Sequence, residues 1–176
     1  MRDDALDAGR VAIQCRDLGV EERPLLSGPF VACVGPGQRL EGRPALAPED
    51  PLLDDTLLVA EGHCFRDQVV GLCRARAAGR PRGDDGEPER ASLPLRFESG
   101  NLETLRQLAE RGHGMTLLPY LATLGLTEAE RTRLVPFVAP TPARILTLVH
   151  HRACLERRII SALCDEQLAA LPAALR

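Results

Sequence analysis

The sequence predicts an α/β fold with a largely parallel sheet, and two observations lead to this prediction. Short apolar runs bounded by charged or turn-forming residues recur along the chain, which is typical of buried strands. Between them, apolar residues recur at helical spacing, and strands that alternate with helices favour a parallel sheet. With 176 residues the chain is long enough to bury a core, as one domain or as two small intertwined ones.

The first third of the chain predicts strands separated by polar connectors. Residues 6–10 have the pattern of a helix end capped by glycine, and residues 16–24 that of a charged connector. The apolar runs predict strands at 11–15, 30–34 and 56–60. Cys15 and Cys33 lie within two of these runs, so both are predicted core residues.

A helix is predicted after residue 101, because Asn101 suits an N-cap and Gly112 suits a helix end. Its inward-facing residues are predicted to be Leu102, Leu105, Leu108 and Ala109. A short strand is predicted before this helix at 95–97 and another after it at 115–118. Pro119 then suits the first turn of a further helix.

The last elements are two helices and a strand. Residues 127–130 have the spacing of a capping box, which predicts the start of a short helix. Residues 144–149 predict the last strand. From Cys154 to about Pro172 the pattern predicts an amphipathic helix. Its apolar face is predicted to consist of Leu155, Ile159, Leu163 and Leu168.

One stretch combines this pattern with reactive chemistry. The strand at 56–60 is followed by a turn at Gly62 and then by apolar residues at helical spacing, namely Phe65, Val69, Leu72 and Cys73. Cys64 therefore lies in the first turn of a helix, where unpaired backbone N–H groups and the helix dipole stabilise an anion such as a thiolate. His63 and Arg66 add electropositive surroundings, which favour the nucleophilic form of the sulfur.

Cys73 lies nine residues after Cys64, on the apolar stripe of the same predicted helix. Nine residues correspond to about 13 Å of helical rise and place the two residues on opposite faces. A disulfide requires Cα atoms within about 7 Å, so a bond between these cysteines requires the helix to come apart. Such a disulfide would act as a conformational switch. The polar segment 74–90, rich in Gly, Pro, Arg and Asp, favours such a rearrangement.

The string Gly-His-Cys-Phe-Arg-Asp-Gln at 62–68, followed by Gly-Leu-Cys at 71–73, closely resembles the signature of the OxyR branch of the LysR-type transcriptional regulators. The resemblance implies that peroxide oxidises Cys64 to a sulfenic acid and that Cys73 converts it to a disulfide. His63 then supports the reacting sulfur, against the alternative of a surface turn residue. Arg66 and Asp67 either shape the hydrogen bonds around the thiolate or form an exposed pair in the first helical turn.

Residues 102–106 and 112–119 are similar to a helix and a glycine loop of LysR-type effector domains, so the resemblance covers nearly the whole chain. It implies two Rossmann-like lobes, similar to periplasmic binding proteins. By order along the chain, one lobe comprises 1–24 and 149–176, and the other comprises 25–148 and carries the cysteine pair. The first lobe is expected to be incomplete, without the strand and helix that normally open it. The winged helix-turn-helix that binds DNA in this family is expected to be absent from this chain.

The function implied by the resemblance is the redox-sensing regulatory domain of a hydrogen-peroxide-responsive transcription regulator, which switches once per oxidation and is not an enzyme. The implied partners are hydrogen peroxide, further copies of the chain in a homodimer or tetramer, and a thiol reductant of the glutaredoxin type. Promoter DNA is an implied partner only through the N-terminal domain expected to be absent here. No cofactor is implied.

Composition and charge argue against several other classes of protein, namely nucleic-acid-binding, membrane and zinc-binding proteins. A net charge of −3 and a pI near 5.8 argue against nucleic-acid binding by this chain itself. The N-terminus has no apolar signal core and no apolar run is long enough for a membrane span, so we expect a cytoplasmic location without a membrane partner. There the six cysteines are expected to be mostly reduced. Neither a C-x2-C nor an H-x3-H spacing occurs, so the sequence does not indicate a zinc site.

Two alternative functions remain open from the sequence. The first is a LysR-type effector domain whose cleft binds a small metabolite, its cysteines being incidental. The second is a thiol peroxidase, which turns over with a reductant. Thermal stabilisation by a metabolite would favour the first alternative, and sustained peroxide consumption would favour the second.

Overall fold

The computed structural model describes residues 6–12, 19–47, 50, 56–60, 64–77, 98–99, 101–153 and 156–175, with the backbone alone at 73–77, 98–99 and 174. The chain forms two compact units, Met1–Gly28 with Ala143–Arg176, and Pro29–Pro142. The elements in chain order are β1 (Ala8–Val11), β2 (Val20–Val34), β3 (Thr56–Val59), α1 (Cys64–Ala77), β4 (Glu98–Ser99), α2 (Leu102–Glu110), β5 (Met115–Pro119), α3 (Glu128–Arg131), β6 (Leu134–Pro136), β7 (Ala143–His151) and α4 (Arg157–Ala169). Short 3-10 helices cover Tyr120–Thr123 and Ala173–Leu175.

Strand pairing is mixed, which corrects the prediction of a largely parallel sheet. In the Pro29–Pro142 unit, β3 runs parallel to β4 and β5, whereas β2 runs antiparallel to β5 and β6. In the other unit, β1 runs antiparallel to β7. Apolar runs identify strands but carry no information on their direction, and the prediction failed for that reason.

The unit that contains both chain ends is built from β1, β7, the first part of β2 and α4. β7 lies between β1 and β2, and α4 packs through Ile160 and Cys164 against Leu148 of β7. The predicted helix end at 6–10 is wrong, because Ala8–Val11 forms strand β1. The predicted connector at 16–24 is wrong from residue 20 onward, because β2 starts there. Charged side chains in this part of β2 interrupt the run of apolar residues from which a strand is predicted.

The last helix begins later than predicted and turns a different face inward. α4 starts at Arg157, while Cys154 and Leu155 lie outside the described residues. Three residues of its predicted apolar face have large exposed fractions, namely 60% for Ile159, 38% for Leu163 and 39% for Leu168. The predicted face and the observed face, which contains Ile160 and Cys164, both carry apolar residues. Contact with β7 determines which of them is buried.

The Pro29–Pro142 unit holds the larger core, which lies between its strands and helices α1 and α2. Asn101 caps α2 as predicted, since its side chain accepts a hydrogen bond from the Glu103 N–H. Leu105 and Ala109 are fully buried, and Leu102 and Leu108 are partly buried against the core.

Gly112 ends α2 as predicted. It has a φ of 83°, and its N–H donates to the carbonyl of Ala109, while the His113 N–H donates to that of Leu108. These two bonds are those of a Schellman motif, in which the left-handed residue is usually glycine. Gly35, at the end of β2, lies against this helix end, because an added Cβ would be 1.8 Å from the Ala109 oxygen.

The remaining predictions in this unit have different outcomes. The capping box at 127–130 is confirmed and opens α3. Pro119 is the last residue of β5, and the 3-10 helix that begins at Tyr120 follows it. Tyr120 is partly buried against the core. Residues 95–97 lie outside the described residues, and so does Cys15, which belongs to the other unit.

Candidate redox site

The predicted strand before Cys64 and the predicted helix that begins there are both present in the structure, while the predicted turn at Gly62 lies outside the described residues. β3 is buried along its whole length and α1 begins at Cys64. Cys64 is half-buried and carries a free thiol. Because it is the first residue of a 14-residue helix, it lies in the first helical turn. The first backbone N–H groups of a helix lack helical partners and form the positive end of its dipole.

Two apolar side chains hold the first half of α1 on the core. Phe65 is 8% exposed and Val69 is 2% exposed. The Phe65 ring packs edge to face against Phe30 of β2, with ring centroids 5.5 Å apart and an interplanar angle of 68°. This geometry is favourable for aromatic pairs. Phe65, the residue next to Cys64, is therefore fixed in the core.

Arg66 and Asp67 occupy the same first turn as Cys64. The Arg66 guanidinium is half-buried, and its Nη1 donates a hydrogen bond of 3.4 Å to the carbonyl oxygen of Val59, the last residue of β3. Arg66 thus connects the end of β3 to the start of α1. The exposed Asp67 carboxylate suits the positive end of the helix dipole. His63 lies outside the described residues.

Cys73 belongs to the same continuous helix as Cys64, since α1 extends from Cys64 to Ala77. Only the backbone of Cys73 is described. Nine residues of α-helix correspond to about 13 Å of rise, which exceeds the Cα separation of about 7 Å that a disulfide tolerates. In this conformation the two cysteines are too far apart to form a bond. The first four residues of the predicted polar segment 74–90 belong to this helix as well.

Two other described cysteines are buried. Cys33 on β2 is 1% exposed, and burial, with a smaller contribution from the Glu110 carboxylate, raises the pKa of its thiol to about 11. Cys164 on α4 is 8% exposed. A protonated and inaccessible thiol is a poor nucleophile. Because Cys33 is buried, the prediction that it is a core residue is confirmed. Of the three cysteines with described side chains, Cys64 is the most accessible.

Arg106 is a charged residue that is only 8% exposed, and its burial was not predicted from the sequence. Its guanidinium binds Glu103 of the same helix at 2.5 and 2.8 Å, and it contacts Glu110 and, at 2.9 Å, Glu130 of α3. The signal was present, because Glu103 and Glu110 lie three and four residues from Arg106, the spacing of helical neighbours. A cleft of about 250 Å³ lies beside this network, between Asn101 and Leu118.

Two further classes of site concern metals and membranes. Within the described residues, no group of three or more His, Cys, Asp or Glu is arranged to hold a metal ion. The same part of the chain contains no helix that is long and apolar enough to cross a membrane.

Comparison with known proteins agrees with the fold. Residues 1–171 match the LysR substrate binding domain family. A probable hydrogen peroxide-inducible genes activator of Mycobacterium avium is 34% identical over 153 residues, which are 85% of this chain and 44% of that protein. The chain therefore spans less than half the length of this relative.

Two solved structures are similar over nearly the whole chain. The reduced OxyR regulatory domain of Pseudomonas aeruginosa is 26% identical with a TM-score of 0.74, over 96% of this chain and 75% of that one. A Corynebacterium glutamicum OxyR mutant with bound hydrogen peroxide is 27% identical with a TM-score of 0.76, over 96% of this chain and 50% of that one. The expected fold, an α/β domain of two lobes like periplasmic binding proteins, is thereby confirmed. The chain belongs to the LysR substrate binding domain family and resembles, within it, the hydrogen peroxide-inducible genes activators.

Proposed function

We propose that this chain is the redox-sensing regulatory domain of a transcription regulator that responds to hydrogen peroxide. The observation that carries the proposal is the position of Cys64, half-buried at the start of a helix that also contains Cys73. Similarity to hydrogen peroxide-inducible genes activators supports the same function. The proposed site consists of Cys64, Cys73, His63, Arg66 and Asp67.

In the proposed reaction the Cys64 thiolate attacks one oxygen of hydrogen peroxide. An S–O bond forms, the O–O bond breaks, and the second oxygen leaves as water after taking up a proton. Cys64 becomes a sulfenic acid. The Cys73 sulfur then attacks the Cys64 sulfur, so that an S–S bond forms and the S–O bond breaks with release of a second water.

The second step changes the conformation of the domain, because the cysteines cannot meet within an intact α1. Helix opening is therefore coupled to oxidation, and an altered α1 is the signal that the rest of the regulator detects. Thiol–disulfide exchange with a reductant of the glutaredoxin type resets the switch. The site reacts once per cycle of oxidation and reduction and acts as a switch.

The proposed partners follow from this function. The domain works in the cytoplasm, where the reducing thiol pool keeps Cys64 reduced until peroxide rises. Copies of the chain associate as a homodimer or tetramer, and promoter DNA is bound through an N-terminal domain of the complete regulator. Altered packing around α1 changes how the subunits associate.

Titration of the reduced chain with hydrogen peroxide, followed by peptide mass spectrometry, tests the proposal. We expect a Cys64–Cys73 disulfide after about one equivalent of peroxide, with loss of helical circular dichroism. Cys64→Ser should abolish the reaction, and Cys73→Ser should stop it at the sulfenic acid. Cys33→Ser is the matched control and should leave the disulfide unaffected. Sustained peroxide consumption with a thiol reductant would instead indicate a peroxidase.

The cleft of about 250 Å³ beside α2 favours a second candidate, the binding of a small metabolite. Asn101 and Arg106 provide polar groups at its edge, although Arg106 is already engaged by carboxylates. A thermal-shift screen of small organic acids on the reduced chain tests this candidate. Stabilisation that disappears in Ala122→Phe, which places a large side chain at an exposed lining residue, supports a metabolite site.

A further inference from the structure

Gly71 lies in the interior of the continuous helix α1, after the buried residues Phe65 and Val69 and before Cys73. Gly71 is exposed, and a Cβ added to it would have no atom within 4 Å beyond its own helix. Packing therefore does not require glycine at this position. Glycine in a helix interior weakens the helix, because it loses more backbone freedom than other residues.

The described side chains of α1 differ in burial on the two sides of Gly71, since Leu72, which follows it, is only partly buried against the core. Phe65 and Val69 are buried in the core and precede Gly71. Moving Cys64 away from its position would withdraw Phe65 from its edge-to-face contact with Phe30, since Phe65 is the next residue in the chain. Opening the helix after Val70 leaves these contacts in place and, among the described side chains, gives up only the partial packing of Leu72.

Chain geometry shows that opening at Gly71 is sufficient. In a helix, the Cα atoms of Cys64 and Val70 are about 10 Å apart. The three residues from Gly71 to Cys73 span up to about 10 Å when extended. The Cα of Cys73 can therefore reach within about 7 Å of the Cα of Cys64, the separation that a disulfide requires, while residues 64–70 remain helical.

We propose that Gly71 is the hinge of the redox switch: the first half of α1 stays on the core, and the chain beyond Val70 unwinds to bring Cys73 to Cys64. This inference rests on the proposed function. Gly71 acts on the disulfide step as a positioning residue and takes no part in the attack on peroxide. Replacing it should change the balance between dithiol and disulfide without changing sulfenic acid formation.

The test is Gly71→Ala in the full chain, equilibrated in glutathione redox buffers and analysed by peptide mass spectrometry. Alanine favours a helix over glycine by about four- to fivefold in the equilibrium constant, so the disulfide-to-dithiol ratio should fall by this factor. A fivefold change corresponds to about 20 mV for a two-electron couple. Gly125→Ala is the matched control, because Gly125 is also exposed and open but lies outside α1, and it should leave the ratio unchanged.

Phe65→Leu discriminates between the two ways of opening. If the first half of α1 remains on the core, this variant weakens both redox states alike, and the ratio is unchanged. A shift toward the disulfide in Phe65→Leu would mean that Phe65 leaves the core on oxidation and would overturn the hinge. An unchanged ratio in Gly71→Ala, with the disulfide still forming, would also overturn it.

A second readout separates the hinge from a general loss of reactivity. In a Cys73→Ser background, the rate of Cys64 sulfenic acid formation, trapped with dimedone, should be the same with and without the Gly71→Ala substitution. A slower rate with Gly71→Ala would place the effect on the peroxide step and overturn the hinge. Absence of any Cys64–Cys73 disulfide in the unsubstituted chain would overturn the proposed function, and this inference with it.

Discussion

The ring of Phe65 on α1 packs edge to face against the ring of Phe30 on β2, with ring centroids 5.5 Å apart. Both rings are buried, so truncation of Phe65 removes a large apolar contact and leaves a cavity. We expect Phe65→Ala to lower the free energy of unfolding by about 3–5 kcal/mol. Urea denaturation followed by far-UV circular dichroism measures this loss. The control Val138→Ala, at a residue that is 46% exposed, should change it by less than about 0.5 kcal/mol.

The thiols of Cys64 and Cys33 should differ widely in reactivity. Burial raises the pKa of Cys33 to about 11, so at neutral pH its thiol is protonated as well as inaccessible. A soluble alkylating reagent at about pH 7 should modify Cys64 in the folded chain and Cys33 only after unfolding in urea. Peptide mass spectrometry over time measures both rates. Equal labelling of the two cysteines in the folded chain would contradict the described burial.

The contact between Gly35 and the end of α2 should tolerate no side chain. An added Cβ would lie 1.8 Å from the Ala109 oxygen and 2.9 Å from the Gly112 Cα, and both neighbours are backbone atoms that cannot rotate away. Gly35→Ala should therefore cost about 3 kcal/mol or more in unfolding free energy. Gly125→Ala, which has open space, should have no effect or stabilise the chain by up to about 1 kcal/mol. Similar stabilities for the two variants would contradict the tight packing.

The ion pair between Arg106 and Glu103 should make stability depend on pH. Hydrogen bonds from Arg106 lower the pKa of the Glu103 carboxyl from 4.5 to about 2. The folded state thus favours the ionised form, and its contribution to stability is complete above about pH 5 and disappears as the pH falls toward 2. The difference in unfolding free energy between the unsubstituted chain and Glu103→Gln should narrow over this range.

The size of that difference is limited by solvent. The Glu103 side chain is 51% exposed, so we expect a contribution below about 1 kcal/mol. Urea denaturation at several pH values measures it, with Glu166→Gln on α4 as an exposed-carboxylate control. A difference that stays constant from about pH 7 to about pH 2.5 would show that the ion pair contributes nothing.

Local signals in the sequence predicted several elements correctly. Cys64 at the helix start, Asn101 as an N-cap, Gly112 as a helix end and the capping box at 127–130 all depend on interactions within a few residues. Such interactions are visible in sequence because the partners occur at fixed spacings. The part of the candidate site on the first turn of α1 was predictable for the same reason.

Other features depend on partners that are distant in the chain. The inward face of α4 is selected by Leu148, and the antiparallel direction of β2 by β5. The boundary between the two compact units at 28/29 lies within strand β2, which continues from Val20 to Val34. No loop in the sequence marks this boundary. The lobe boundaries at 24/25 and 148/149 were implied by the family resemblance, by order along the chain, and the compact units of the structure change at 28/29 and 142/143.

The position of Tyr120 has a consequence for spectroscopy. It is the only tyrosine of the chain, which contains no tryptophan, and it lies directly after β5 in the Pro29–Pro142 unit. Intrinsic fluorescence therefore arises almost entirely from one place in one unit, whereas ellipticity averages over both. If the two signals change at different urea concentrations, the units melt independently.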